Sequence, residues 1–285
     1  MKLARRIMAC ALAVAVAIST FAVAPMNTEA AAPKQNTYVL DSKKGVCYPT
    51  KARVGLMQKF DTVDVYLVNE GDYIASVKSS STNLFAKLTR KAVYTGSQYT
   101  MGTLSDGTNV KCKANYDITC FAKKKGTYTL TVTVKNAKKK TTCKKKIKVY
   151  AEEYSTPINT FKYAGKLCSS YTLTNKKSGK INVKLNKGFK LQKIEVGTYA
   201  AAKTKEYSPE PVFKKVKNNS KISLATSTKY ASDVYEYSYD DGDYSYESGY
   251  DVEYLCPITI IRITYKDTKL GTVQTTEYEL FYQNK

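Results

Sequence analysis

The sequence predicts an all-β protein of two consecutive β-sandwich domains behind a cleaved signal peptide. Beyond residue 32, apolar residues alternate with polar ones, and β-branched and aromatic types fall on the apolar beat. Turn residues interrupt these runs at short intervals, and no stretch there holds a 3.6-residue period. The first 32 residues follow a different pattern and are read separately.

In that leader, Lys2, Arg5 and Arg6 precede an apolar run from Ile7 to Ala24, broken by Pro25 and followed by Ala30-Ala31-Ala32. Positive charge, apolar core and a small-residue A-x-A site are the marks of a secretory signal. The run also has the length to span a bilayer, so a retained anchor is the rival expectation. Cys10 opens the run instead of following it, unlike a lipoprotein site. The mature chain is therefore expected to start near Ala31 to Pro33, outside the cytoplasm, with no stable membrane span after cleavage. Its other end, Tyr282-Gln283-Asn284-Lys285, carries no L-P-x-T-G motif and no apolar segment.

The strands can be followed in order. Val63, Val65 and Leu67 alternate with Asp64, Tyr66 and Val68. From Thr127 to Val134, Tyr128, Leu130, Val132 and Val134 face one way and Thr127, Thr129, Thr131 and Thr133 the other. Lys135-Asn136-Ala137-Lys138 is expected to turn the chain. The returning strand places Cys143, Ile147 and Val149 inward, with Lys144, Lys146 and Lys148 outward. Lys145 shares the inner beat and is expected at the sheet rim. Further on, Lys180 to Leu185, Ile258 to Tyr265 and Val273 to Tyr282 repeat the pattern, the last two joined by a turn at Lys269-Leu270-Gly271. Many short strands with spaced turns indicate sandwiches and not a parallel sheet.

Charge divides the chain. The formal net charge is +22. Residues Pro33 to Glu152 carry 23 basic and 8 acidic side chains, whereas Glu153 to Lys285 carry 20 and 15. The shift falls at Ala151-Glu152-Glu153, just before Ser155-Thr156-Pro157. This marks a basic first domain over 33–152 and a second domain over 153–285.

Composition narrows the chemistry. The chain has no His and no Trp, which removes the commonest general base, the usual triad partner and the commonest zinc ligand. No G-x-S-x-G elbow, phosphate loop or S-x-x-K tetrad is present. The expectation is no enzyme, no cofactor and no metal.

Cys47, Cys112, Cys120, Cys143, Cys168 and Cys256 remain after the leader. An even number in an exported chain without C-x-x-C spacing favours disulfides over metal. The proposed boundary leaves Cys168 to Cys256 as the single pairing in the second domain and three connectivities in the first. Buried free thiols are the alternative.

A family resemblance adds to this reading. Ile74-Ala75-Ser76-Val77-Lys78-Ser79-Ser80-Ser81, followed by Leu84-Phe85-Ala86-Lys87-Leu88, resembles the serine-rich signature of bacterial Ig-like domains, group 2. Asp117 to Leu130, with Gly126 at its turn, is similar to that family's later strand-turn-strand segment. The resemblance covers about residues 60–150. Val77 stands where the family usually has Trp, and Arg90 to Ala114 looks like an insertion. It implies an Ig-like first domain, with surface presentation, spacing or adhesion as its role and no catalytic residues to carry over. For the second domain only the general sandwich pattern applies.

Two surfaces stand out as binding candidates. Eleven lysines and no acids lie between Lys123 and Lys148, and Lys138, Lys139, Lys140, Lys144 and Lys146 are the candidate contacts. Such a cluster attracts polyanions over a screened range of about 8–10 Å. Nucleic acid fits poorly, because export removes the opportunity and no aromatics interleave the run. An anionic cell-wall polymer, a glycan or a surface protein fits better. The alternative is a solvated edge that prevents sheet-to-sheet association.

The second surface lies between Tyr230 and Tyr254, which contains eight tyrosines and eight acids without Lys or Arg. Tyr235, Tyr237 and Tyr239 alternate, Asp241-Gly242 reads as a two-residue turn, and Tyr244 and Tyr246 resume. That turn sets Tyr239 opposite Tyr244, Tyr237 opposite Tyr246 and Glu236 opposite Glu247. Such a row of rings can stack on sugars or pack on its own sheet. The acids fail the EF-hand template, since Tyr237 and Tyr239 occupy ligand beats. The functional expectation is a secreted, non-enzymatic cell-envelope protein for surface binding or adhesion. The alternatives are a glycan-binding accessory module and an extracellular carboxylate-dependent hydrolase.

Overall fold

The computed structural model describes the backbone of residues 33–57, 61–199, 211–226, 228–240 and 245–283, and the side chains of these residues except 228–256. The signal peptide assigned to residues 1–32 lies outside them. Every regular element among the described residues is a strand, so the chain is all-β.

The first eleven strands are β1 (Tyr38–Asp41), β2 (Val46–Pro49), β3 (Lys51–Gly55), β4 (Asp61–Leu67), β5 (Tyr73–Ser79), β6 (Leu84–Val93), β7 (Thr100–Thr103), β8 (Asn109–Cys112), β9 (Ala114–Ala122), β10 (Gly126–Lys135) and β11 (Thr141–Glu152). Two sheets, ordered β1-β2-β4-β9-β6 and β3-β11-β10-β5, face each other, and β7 and β8 form a separate hairpin. The alternation read from sequence decides what lies between the sheets. Val63, Val65 and Leu67 of β4 and Ile118 of β9 meet Leu130, Val132 and Val134 of β10 and Ile147 and Val149 of β11 in one buried cluster. Each such side chain contributes about 1.5–3 kcal/mol by leaving water.

The turn after β10 is longer than the four residues expected. Lys135 pairs with Thr141 after a bulge at Val134, and Asn136 brackets the intervening loop. Its N–H donates to the Lys140 carbonyl at 3.0 Å, and its side-chain oxygen accepts from the Lys140 N–H at 3.1 Å. Lys139 absorbs the reversal with a left-handed φ of 61°.

The remaining strands are β12 (Ile158–Tyr163), β13 (Lys166–Leu167), β14 (Tyr171–Thr174), β15 (Ser178–Leu185), β16 (Phe189–Thr198), β17 (Val212–Val216), β18 (Lys221–Ser223), β19 (Thr228–Asp240), β20 (Ser245–Cys256), β21 (Ile258–Asp267) and β22 (Val273–Tyr282). They form sheets β13-β12-β15-β18 and β14-β22-β21-β16-β17, with β19 and β20 as a long two-stranded hairpin. Phe161, Tyr163 and Ile181 of one sheet pack with Ile194, Ile261, Ile263 and Leu280 of the other in a second buried cluster. The Phe161 and Tyr278 rings stand 4.6 Å apart across it.

The described cysteines are in the reduced form in this structure. Cys47, Cys112, Cys120, Cys143 and Cys168 all carry free thiols, so Cys168 makes no bond to Cys256, whose side chain lies outside the described residues. Cys168 packs against the second core with its thiol on the Lys166 carbonyl at 3.7 Å, while Cys256 pairs with Thr228 at the base of the β19–β20 hairpin.

Between the two cores the chain places a buried ion pair. Arg53 of β3 donates from Nε and Nη2 to the two carboxylate oxygens of Asp267 at 2.6 and 2.8 Å, and from Nη1 to the Tyr154 carbonyl at 3.2 Å. The guanidinium also lies 4.4 Å from the Phe189 ring centre. Both side chains are about 5 % exposed or less. Burial alone would raise the Asp267 carboxyl, but Arg53 and the N–H groups of Leu270 and Lys269 hold it below its ordinary value.

Arg53→Ala strands a buried carboxylate, so it is expected to cost about 3–5 kcal/mol of unfolding free energy in a urea titration. Replacing both partners, Arg53→Met with Asp267→Leu, should cost far less. Since the folded carboxyl titrates below the unfolded one, its contribution is complete above about pH 4 and fades as pH falls through the folded value. Asp267→Asn should remove that acid-side dependence.

Candidate functional site

Three sheet strands and one turn assemble the lysines. In the antiparallel register of β10 with β11, Lys144, Lys146 and Lys148 stand opposite Thr133, Thr131 and Thr129, all on the face turned away from the core. The three lysines are exposed, as are Lys138, Lys139 and Lys140 in the turn at one end. β5 adds Lys78 beside Thr131, and β3 adds Lys51 beside Lys148. The face is thus a threonine row on β10 flanked by lysines on both sides. No acid stands on its outward beats before Glu152, which is held by Lys125 at 3.0 Å and Lys269 at 3.3 Å.

Lys51 and Lys78 carry no sequence signal for this face. Each is an isolated lysine, and only the strand order brings it to this face. Lys51 arrives through the parallel pairing of β3 with β11, which no local signal announces.

Lys145 behaves differently from its neighbours. It occupies the inner beat, opposite buried Val132, at the sandwich rim. Its ammonium reaches the other sheet, pairing with Asp41 of β1 and standing 5.3 Å from the Tyr48 ring centre. Desolvation lowers its pKa, but the Asp41 hydrogen bond leads the opposing effects and leaves it raised overall. This lysine ties the two sheets together and is not free to meet a ligand.

The tyrosine segment forms the β19–β20 hairpin, with a register different from the one expected. The last paired residues are Asp240 and Ser245, so four residues separate the strands where two were predicted. Tyr239 consequently stands opposite Tyr246, Tyr237 opposite Ser248 and Tyr235 opposite Tyr250. Glu236 is opposite Gly249, and Glu247 is opposite Ser238, so the expected like-charge pair does not form across the ladder. A register shift between Lys229 and Ala231 near the base accompanies the altered pairing. Tyr244 lies outside the described residues.

Elsewhere, a cleft of about 360 Å³ is lined by Leu167 of β13, Thr172 and Leu173 of β14, and Cys168 between these strands, among others. Leu167, Tyr171 and Leu173 there are exposed apolar side chains. Asp64 of β4 and Asp117 of β9 are register partners on the outer face of the five-stranded sheet. Burial and then the Asp117 charge push the Asp64 carboxyl up, partly offset by Arg90. These two acids share a sheet face and do not oppose each other across a cleft. Among the described residues, no three Cys, Asp or Glu come together as a metal-holding group. No helix among them is long and apolar enough to cross a membrane.

A scan against protein-family models finds no match, and a search of curated proteins finds none. Among solved structures, the chain is similar to the fibronectin(III)-like modules of Clostridium thermocellum CbhA at 10 % identity and a TM-score of 0.26, covering 87 % of this chain and 94 % of that one. It is also similar to the Yersinia pseudotuberculosis adhesin InvE at 10 % identity and a TM-score of 0.18, covering 84 % of this chain and 59 % of the adhesin. Superposition this loose carries no functional argument.

The lysines separate into two kinds, which mutation distinguishes. Lys145→Ala is expected to lower the thermal midpoint by removing the rim contact. Lys144→Ala and Lys146→Ala should leave it unchanged, as differential scanning calorimetry would record.

Proposed function

We propose that this chain is an exported, non-enzymatic cell-envelope protein of two sandwich domains, 33–152 and 153–285, which adheres to an anionic surface polymer. The Ig-like resemblance of the first domain and the leader pattern support export and surface presentation. One observation carries the binding role: lysines from β3, β5 and β11 gather on one uncovered sheet face with no acid among them. Along β11 they recur every ~7 Å, and Lys51 lies ~5 Å to the side. That grid suits an extended polyanion whose charges are spaced by one sugar or one phosphate unit. Lys138, Lys139 and Lys140 extend it past the end of the strands. The β19–β20 hairpin supplies the second contact in this reading, supported by the register that sets Tyr239 opposite Tyr246 and Tyr235 opposite Tyr250.

The test is sedimentation of the full chain with isolated cell-wall polymer across a salt series. Binding should weaken by at least about tenfold from low to high salt, as cation release from a polyanion requires. A Lys144→Gln, Lys146→Gln, Lys148→Gln variant should bind weakly and show a shallower salt slope. Salt-independent retention, or full retention by the variant, would exclude the lysine face.

A further inference from the structure

Cys47 of β2 and Tyr66 of β4 are register partners on the outer face of the five-stranded sheet. An outer-face position ordinarily meets water, yet Cys47 is 0 % exposed. The β7–β8 hairpin, built by the segment read as an insertion, supplies the cover. Asn36 holds it by donating to the carbonyls of Thr103 and Leu104 at 3.0 and 3.1 Å, and the Ser105 N–H donates to the Tyr38 carbonyl at 3.0 Å.

The hairpin closes down where it lacks a side chain. A Cβ on Gly102 of β7 would stand 3.2 Å from the Cys47 sulfur and 3.4 Å from the Tyr66 ring. Gly102 pairs with Val110 and Thr100 with Cys112, so Cys112 lies on the hairpin face that the missing Cβ would occupy. Cys112 is 1 % exposed. Its thiol donates to the Val110 carbonyl at 3.3 Å. Burial raises the Cys112 thiol, and the nearby Gly102 backbone partly offsets that rise. Gly102 therefore has one sulfur at its side-chain position and the other near its backbone. Burial first, then the neighbouring Cys112, pushes the Cys47 thiol up to about 12.

The other cysteines are excluded by the sheets themselves. Cys120 lies in the core on the opposite face of the same sheet. Cys143 sits on the inner beat of β11, against the core and away from the outer face that carries Cys47. Cys120 pairs with Asp61, whose carboxylate binds the Gly55 N–H, and Gly55 is opposite Glu152 at the far end of β11 from Cys143. Nine residues of strand, ~30 Å, separate those two levels.

We propose that Cys47 and Cys112 are a paired oxidation site, joined by an intrachain disulfide that bolts the β7–β8 hairpin onto the outer face of the first sandwich. Both S–H bonds break and one S–S bond forms. Two protons leave, and two electrons reduce a low-molecular-weight disulfide such as glutathione disulfide to two thiols. The folded dithiol is closed off and poor in thiolate, so the bond forms before the hairpin seats.

The test refolds the full chain from the reduced, unfolded state in a glutathione redox buffer, traps free thiols by alkylation, and maps the peptides. A linked peptide holding Cys47 and Cys112 is expected. Recovery of both as alkylated thiols, or of either bonded to Cys120, Cys143, Cys168 or Cys256, would overturn the assignment. Limited proteolysis between Tyr94 and Lys113 is expected to be at least tenfold slower in the oxidised chain than in the reduced one. Equal rates would overturn the bolting role.

Discussion

Arg53 and Asp267 stand 214 residues apart in sequence, yet they meet in a two-point contact removed from water. Neither side chain can sit there alone, because an unpaired buried charge costs several kcal/mol. The contact also recruits Tyr154 from the connector and the ring of Phe189 on β16. Lys269 beside it reaches Glu152 at the end of β11. The junction between the two cores thus includes directional, charge-assisted bonds, whose two-point geometry fixes the orientation of the pair itself.

The same contact decides which part of the cationic face stays open. Arg53 and Tyr150 occupy outward beats of β3 and β11, as Lys51 and Lys148 do, but Arg53 is covered by the second half of the chain. The face is closed at the Glu152 end and open towards Lys144 and the Lys138 to Lys140 turn. Strand alternation makes the same distinction within β11. One beat places Lys144, Lys146 and Lys148 in water, and the other places Lys145 against Asp41, where it becomes part of the rim.

Period-two patterning made much of the first half legible, and the limits of that pattern explain what it missed. The run from Thr127 to Val134 specified both faces of β10, because four threonines alternating with four apolar residues leave one way to bury the strand. Alternation says which face a residue takes but not which strand lies beside it. Lys51, Lys78 and Arg53 therefore gave no signal, since their importance comes from pairings and contacts far along the chain. The β19–β20 register was misjudged by two residues because Asp241-Gly242 was assigned the tight turn. A slip of two preserves the alternation while changing every opposite number. The free thiols of Cys120 and Cys143 were equally hidden, since the sheet layers that separate them from Cys47 do not exist in the sequence.

The two outer faces of the first sandwich have opposite fates, and this difference supports assigning contact to one of them. The five-stranded sheet carries the β7–β8 hairpin on its outer side, burying Cys47 against Gly102 and setting the Tyr38 and Tyr66 rings edge to face at 6.0 Å. Its acids, Asp64 and Asp117, are partly screened by Arg90. That face has been given a cover and a small interior of its own. Among the described residues, no such cover lies over the lysine and threonine rows of the four-stranded sheet. Threonine there keeps the strand propensity of a β-branched residue while tolerating water, and lysine keeps other sheets away. A surface that must stay bare without promoting aggregation needs both properties at once. The same composition leaves the ammonium groups of Lys144, Lys146 and Lys148 in water.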